Sequence, residues 1–65
     1  MTPLTPRERD VLGLLSRGVT YPRTAQLLGI SIHTTKAHAH SIRLSLGARN
    51  TAHAVRIAFD HGILR

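Results

Sequence analysis

Five histidines are the side chains of this 65-residue chain best suited to bind a metal ion or carry protons. Three of them, His33, His38 and His40, fall in one predicted helix, where His38 and His40 point apart because they are two positions apart. His33 and His40 share a face but lie roughly 10 Å apart along the helix axis. Neither pair can hold one ion and the chain has no cysteine, so we expect no metal site and no cofactor.

Carboxylates and hydroxyls give little support for catalysis. Only Glu8, Asp10 and Asp60 carry a side-chain carboxylate, and none has an evident partner for acid–base chemistry. No serine stands in a nucleophile elbow, and no glycine-rich phosphate loop is present. We therefore expect that the protein is not an enzyme.

Charge is the strongest compositional feature. Nine Lys and Arg residues face three acids, for a formal net charge of +6. The stretch from Val11 through Phe59 has no carboxylate, although it carries Arg17, Arg23, Lys36, Arg43, Arg49 and Arg56. Such a field attracts nucleic acid or an acidic membrane surface. With one Tyr and one Phe, the chain lacks the aromatic platforms that stack single-stranded bases, which favours duplex DNA.

Length and hydropathy indicate one small domain, residues 1–65. No apolar run is long enough to span a membrane, and no signal-peptide pattern is present. We therefore expect a cytoplasmic protein associated with the nucleoid. The chain is either a single-domain protein or the C-terminal part of a longer one.

Caps and apolar periodicity predict four helices and no strand, so the expected fold class is all-α. The first helix runs from about Pro6 to Arg17, after a T-x-x-E capping box formed by Thr5 and Glu8. The second runs from about Tyr21 to Leu28, capped by Thr20 or Tyr21, with Ala25, Leu27 and Leu28 as its apolar residues.

The third helix follows Ser31 as its N-cap and runs from Ile32 to about Leu46, where Gly47 ends it. The short connection Gly29-Ile30-Ser31 makes the second and third helices a helix-turn-helix unit, with Ile30 filling the core between them. The fourth helix starts after Asn50 or Thr51 and ends near Asp60 or His61. Gly62 then lets Ile63 and Leu64 fold back.

The third helix has two distinct faces at about 100° per residue. A buried stripe is predicted for Thr35, Ala39, Ile42 and Leu46. The opposite face carries His33, Lys36, Ala37, His40, Arg43 and Leu44. There, Lys36 and His40 can donate to guanine, and the small Ala37 permits close approach to base edges. The alternative is an ordinary solvated basic face.

Several separate motifs resemble the LuxR/GerE-type helix-turn-helix domain. They comprise residues 5–12, Gly18, residues 25–31, residues 34–38, residues 46–50 and Ala54-Val55, all in register. The resemblance covers about Leu4 to Ala58 and implies a four-helix DNA-binding domain of bacterial transcription regulators. It also implies a third helix in the major groove and a fourth helix that supports a two-fold dimer.

The resemblance implies a role for each matching position. Lys36, Ala37 and His40 would face bases, and His33 joins them as a candidate on the same face. The candidates for phosphate contact are Thr20, Arg23, Thr34, Arg43, Arg49, Asn50 and Thr51.

The chain also departs from the family pattern. Arg23 stands where an acid is usual, and Thr24 and Thr35 stand where aliphatic residues are usual. We expect each threonine hydroxyl to bond back to a carbonyl one turn earlier. Ser45 stands where a lysine is common, and His40 replaces a longer polar residue, so the usual half-site of the family does not carry over.

The fourth helix has Ala54, Val55 and Ala58 as its expected core face. The residues expected at a dimer contact are Ile57, His53, Asp60 and His61. The alternative is that Ile57 lies at the core margin.

The leading hypothesis is a sequence-specific regulator that binds double-stranded DNA as a homodimer on two half-sites. Its further partners would be RNA polymerase or an N-terminal sensor domain outside this chain. A competing hypothesis is a protein-interaction adaptor or antirepressor with the same fold. An amphipathic membrane-surface peptide is disfavoured, because no single helix pairs a bulky apolar face with a dense lysine face.

Overall fold

The computed structural model describes residues 4–65, and these form four helices without any strand. The helices are α1 (Pro6–Ser16), α2 (Tyr21–Leu28), α3 (Ile32–Leu46) and α4 (Thr51–Asp60). The expected all-α class is confirmed. Only α1 differs from its predicted bounds, because Arg17 is the C-cap and not the last helical residue. No helix in this part of the chain has the length and hydropathy to cross a membrane.

Side-chain caps decide where each helix begins. At every N-terminus a cap side chain accepts the backbone N–H of the residue three positions later, which stabilises a helix by about 1 kcal/mol. The four caps are Thr5, Thr20, Ser31 and Asn50. The sequence predicts two alternatives for the cap of α2, Thr20 or Tyr21, and two for the cap of α4, Asn50 or Thr51. In the structure the caps are Thr20 and Asn50.

Two glycines decide where the helices of the helix-turn-helix unit end. Gly29 and Gly47 adopt φ angles of 67° and 65°, a left-handed conformation that β-carbon-bearing residues rarely take. After Gly29, the N–H of Ile30 donates to the carbonyl of Ala25 at 3.0 Å and turns the chain toward α3. Ile30 is only half-buried and is not part of the core cluster, so the expectation that it fills the core is wrong.

The core lies where α1, α3 and α4 meet. Its fully buried apolar residues are Leu4, Val11, Leu12, Ile42, Ala54 and Ala58. The predicted stripe of α3 is confirmed: Thr35, Ala39 and Ile42 are buried, and Leu46 packs against the core from its margin. The tail folds back as expected, because the N–H groups of Ile63 and Leu64 donate to the Ala58 carbonyl at 2.8 and 3.1 Å.

The buried face of α2 differs from the prediction. Thr24 and Ala25 are buried, whereas Leu27 is half exposed. Leu27 lies about 100° around the helix axis from Leu28, so it falls outside the stripe that meets α1 and α3. An apolar residue in a short helix does not reach the core unless its angle allows it.

The two unusual threonines behave differently. The Thr35 hydroxyl donates to the Ser31 carbonyl at 3.0 Å, as expected. The Thr24 hydroxyl is fully buried and has no hydrogen-bond partner among the described residues, so the back-bond expected there is wrong. A buried hydroxyl without a partner costs free energy of folding.

Glu8 connects the start of α1 to the middle of α3. Its carboxylate accepts the Thr5 N–H at 2.9 Å, which completes the predicted capping box. Only 6% of the surface of Glu8 is exposed to solvent. The Ser41 hydroxyl, the Thr5 N–H and the nearby His38 together hold the pKa of Glu8 below the ordinary 4.5, against the effect of burial.

We predict that Thr24→Val raises the free energy of unfolding by roughly 1 kcal/mol, because valine buries a methyl group where an unpaired hydroxyl now lies. Urea denaturation measures the change. Thr35→Val is the matched control, since it removes a hydroxyl that is hydrogen-bonded and should give no such gain. Equal effects of the two substitutions would contradict the assignment of Thr24.

We predict that Glu8→Gln lowers the free energy of unfolding at pH 7 by roughly 1–3 kcal/mol, since the carboxylate accepts several hydrogen bonds. The folded-state pKa is depressed, so the stability from Glu8 is complete above the unfolded pKa and is lost as pH falls through the folded one. Urea denaturation from pH 7 to pH 3 should therefore show the two proteins converging at low pH.

The control for this pH series is Asp10→Asn. Asp10 lies on the exposed surface, 3.9 Å from Arg7, where an ion pair contributes little. A constant difference between wild type and Glu8→Gln across the whole pH range would contradict the role of the Glu8 charge.

Candidate nucleic-acid interface

The exposed face of α3 carries all four side chains predicted to contact bases. His33, Lys36, Ala37 and His40 are exposed, while the opposite stripe of the same helix is buried. Lys36 and His40 are one turn apart, which separates them by about 6 Å along the axis. Ala37 lies between these two donors and adds almost no bulk. This face of α3 can therefore approach a polar surface closely and present hydrogen-bond donors to it.

A pair of hydroxyls lies at the start of α3. Ser31 Oγ accepts the N–H of Thr34 at 2.9 Å and donates its own proton to Thr34 Oγ1, also at 2.9 Å. The Thr34 hydroxyl proton is thus left to donate outward. An oxyanion beside the first turn of α3 would meet this donor and the positive end of the helix together.

Arg23 lies in the first turn of α2, where the helix dipole disfavours a cation. Thr20 still caps the helix by accepting the Arg23 N–H at 3.2 Å. The Arg23 guanidinium donates to Gln26 Oε1 at 2.7 Å, one turn further along. The side chain therefore runs along the surface of α2, and its charge is displaced from the helix start.

Thr51 joins α2, α3 and α4. Its hydroxyl oxygen lies 3.4 Å from the Tyr21 hydroxyl and 3.4 Å from Nη1 of Arg43, which donates to it. All three side chains are half-buried. Arg43 was expected on the exposed face of α3, but its guanidinium turns toward the start of α4. Sequence reasoning missed Tyr21, because its partner is 30 positions away and no local signal links them.

The loop before α4 is held by His53. The backbone N–H of Arg49 donates to His53 Nδ1 at 3.1 Å, and Asn50 Oδ1 accepts the His53 N–H at 2.8 Å. Arg49 and Asn50 are exposed, and His53 is half-buried. The sequence had placed His53 at a dimer contact, whereas its ring nitrogen is used within the chain to shape the loop.

The acids lie apart from this surface. Glu8 is buried between α1 and α3, Asp10 lies 3.9 Å from Arg7, and Asp60 pairs with Arg56 at 3.0 Å on the outside of α4. Within residues 4–65, no carboxylate forms an ion pair with any candidate DNA-contacting cation, which are Arg23, Lys36, Arg43 and Arg49. Their positive charge is available to an external anion.

The surface of α4 combines the residues predicted at a dimer contact with an exposed aromatic side chain. Ile57 is half-buried, while Phe59 is 47% exposed. Asp60 is bonded to Arg56, and His61 is exposed at the C-cap. Phe59 is not among the residues predicted at the contact, although its position next to the buried Ala58 already indicates that it lies outside the core stripe.

Comparison with known proteins gives a consistent result. The GerE model, which describes bacterial regulatory proteins of the luxR family, matches residues 2–58. The transcriptional regulatory protein MctR of Rhizobium johnstonii is 45% identical over 62 residues, covering 95% of this chain and 29% of MctR. The transcriptional activator protein YukR of Yersinia ruckeri is 36% identical over 62 residues, covering 95% of this chain and 27% of YukR. The chain thus spans little more than a quarter of these relatives.

Solved structures share the fold over almost the whole chain. The transcription factor GerE superposes with a TM-score of 0.95 at 28% identity and covers 100% of this chain and 97% of GerE. VqmA of Vibrio cholera, in a complex with ligand and DNA, has a TM-score of 0.85 at 34% identity over 95% of this chain and 27% of VqmA. The resemblance noted in the sequence is confirmed.

We predict that His53→Ala accelerates amide hydrogen exchange of Arg49 by roughly three- to tenfold, because it removes the acceptor of that N–H. Exchange measured by NMR gives the result residue by residue. His61→Ala is the control, since His61 is exposed beyond the last turn of α4. Unchanged exchange at Arg49 would show that His53 does not hold the loop.

Proposed function

Because the chain belongs to the luxR family of bacterial regulatory proteins, we propose that it regulates transcription by reading a specific duplex DNA sequence with α3 in the major groove. The observation that carries this proposal is the exposed, acid-free face of α3, where Lys36, Ala37 and His40 lie together. Lysine and imidazole N–H groups suit the O6 and N7 acceptors of guanine. The small Ala37 lets the helix lie close to the base edges.

Contacts to the DNA backbone would come from three segments around α3. Thr20 and Arg23 would contact phosphates at the start of α2. Thr34 and Arg43 would do so from α3, and residues 49–51 from the loop before α4 and its first residue. The Tyr21 and Arg43 side chains both contact the Thr51 hydroxyl, which supports coordinated placement of these segments. Phosphate contacts of this kind set the register of the protein and make affinity fall as salt rises.

We further propose that two copies bind two half-sites through α4. The sequence analysis had placed Ile57, His53, Asp60 and His61 at the contact. The burial of Ile57 and the exposure of Phe59 favour a contact centred on Phe59. The Arg56–Asp60 pair would then lie on its polar rim, together with His61.

The family consists of transcription regulators and not of enzymes, and we propose that this chain too acts by binding alone. VqmA forms a complex with both a ligand and DNA, which supports control by a sensor domain attached to this one. RNA polymerase is the further partner that regulation implies, and the nucleoid is the corresponding location. The adaptor alternative gains no support from relatives that are named as regulators and activators.

Selection of bound sites from a random duplex pool tests the proposal directly. An enriched sequence with two-fold symmetry supports specific reading by two copies. Enrichment of no sequence would overturn the assignment of α3 as a reader of bases.

We predict that Lys36→Ala and His40→Ala reduce the preference for the selected site over random duplex by about tenfold, since each removes a donor to base edges. Arg49→Ala should instead weaken binding to both duplexes alike, because a phosphate contact is present on any sequence. Fluorescence anisotropy at fixed salt measures both affinities.

Arg17→Ala is the matched control for these three variants, because Arg17 is an exposed arginine at the C-cap of α1, outside both the proposed DNA contacts and the proposed α4 contact. It should leave both affinities nearly unchanged. Equal loss of specific and random binding in the Lys36, His40 and Arg49 variants would contradict the division of roles.

We predict that Phe59→Ala weakens self-association, or cooperative binding to two half-sites, by about fivefold or more, because an aromatic side chain at the centre of an interface contributes strongly. Sedimentation velocity and gel-shift titrations measure the two quantities. Leu27→Ala is the control, since Leu27 is similarly exposed on α2. If self-association and cooperative binding of Phe59→Ala equal those of the wild type, the dimer contact does not involve Phe59.

A further inference from the structure

Leu44 is the most exposed large apolar side chain in residues 4–65. It is 70% exposed, compared with 50% for Leu27 on α2. Its neighbours on α3 do not cover it, because the Arg43 guanidinium turns toward Thr51 and Ser45 is itself exposed. Packing within the chain therefore does not explain a leucine at this position.

Leu44 belongs to the same face as the candidate base-contacting residues. It follows Ala37 by seven positions and His40 by four, so the three side chains lie in one row along α3. Ile42, which is buried in the core, lies about 200° away around the axis. The leucine thus continues the outward row of Ala37 and His40 by one further turn.

We propose that Leu44 contacts the C5-methyl group of a thymine and makes target choice depend on that methyl at one position of each half-site. This inference rests on the proposed reading of the major groove by α3. This contact adds an apolar determinant of DNA sequence preference to a face of α3 that also presents hydrogen-bond donors.

The groups exposed in the major groove make the thymine methyl the most suitable partner for Leu44. A leucine side chain can neither donate nor accept a hydrogen bond, so it cannot satisfy the polar edges of guanine, adenine or cytosine. The thymine methyl is the apolar group that the major groove presents. A cytosine at the same position would offer its amino group to a side chain without an acceptor, which leaves a polar group unpaired.

The spacing along α3 is compatible with such a contact. Leu44 lies about 6 Å beyond His40 along the helix axis, a distance equal to roughly two base-pair steps of B-DNA. The thymine should therefore lie within about two base pairs of the base that His40 contacts, since a helix tilted to the DNA axis advances less than its own length along the duplex. Ser45 and Leu46 do not compete for it, because Ser45 lies off the row and Leu46 packs against the core.

Replacement of single thymines by deoxyuridine in the selected operator tests the inference, because deoxyuridine lacks only the methyl group. Affinities of the wild type and of Leu44→Ala are measured for every substituted duplex. We expect one thymine per half-site whose replacement weakens wild-type binding by about fourfold, the value of one buried methyl. The same replacement should leave Leu44→Ala binding unchanged.

Leu27→Ala is the matched control, as it truncates another exposed leucine and should keep the full sensitivity to deoxyuridine. Circular dichroism checks that the variants remain folded. A thymine sensed by Ala37 would stay sensitive in Leu44→Ala, so the two side chains are distinguished.

Equal sensitivity of the wild type and Leu44→Ala at every thymine overturns the inference while specific DNA binding persists. Absence of any sensitive thymine in the wild type overturns it as well. Failure of the wild type to prefer any duplex would instead overturn the proposed function, and the inference with it.

Discussion

The Glu8 carboxylate is the interaction on which the setting of α3 depends. It accepts the Thr5 N–H at 2.9 Å at the start of α1 and is buried, and the Ser41 hydroxyl and His38 of α3 help to lower its pKa. A buried charge is tolerated only when it is paired or hydrogen-bonded. The contact therefore favours one rotation of α3 against α1, and with it one outward face.

That rotation determines which side chains of α3 face outward, and these are the ones that would reach DNA in the proposed function. With Thr35 and Ile42 facing the core, His40 and Leu44 must face outward because a helix repeats every 3.6 residues. The same face carries donors and an apolar group in one row, without a neighbouring acid to neutralise it. In the proposed function, opposite sides of this one helix therefore serve stability and recognition.

Contacts between helices then shape the flanks of this surface. Thr51 brings together Tyr21 and Arg43, and His53 holds the loop that presents Arg49. The contacts of Thr51 are half-buried and the Arg49–His53 hydrogen bond is exposed. None of them involves an acid, so they order the surface without cancelling its charge. The Thr24 hydroxyl is buried in α2 without a hydrogen-bond partner among the described residues, at a position where the sequence resemblance implies an aliphatic residue.

The amino-acid sequence by itself determined the four helices, most of their limits and the two faces of α3. Caps such as Thr5 and Ser31, and a stop such as Gly47, act within one turn, so their effect can be predicted locally. Only the tertiary structure decided the partners of His53, Arg43 and Thr24, the exposure of Leu27 and Phe59, and the link from Tyr21 to Thr51. These features depend on which helices pack side by side and at what rotation. Helix packing and rotation depend on contacts between residues that are distant in the sequence, so no local sequence pattern can predict them.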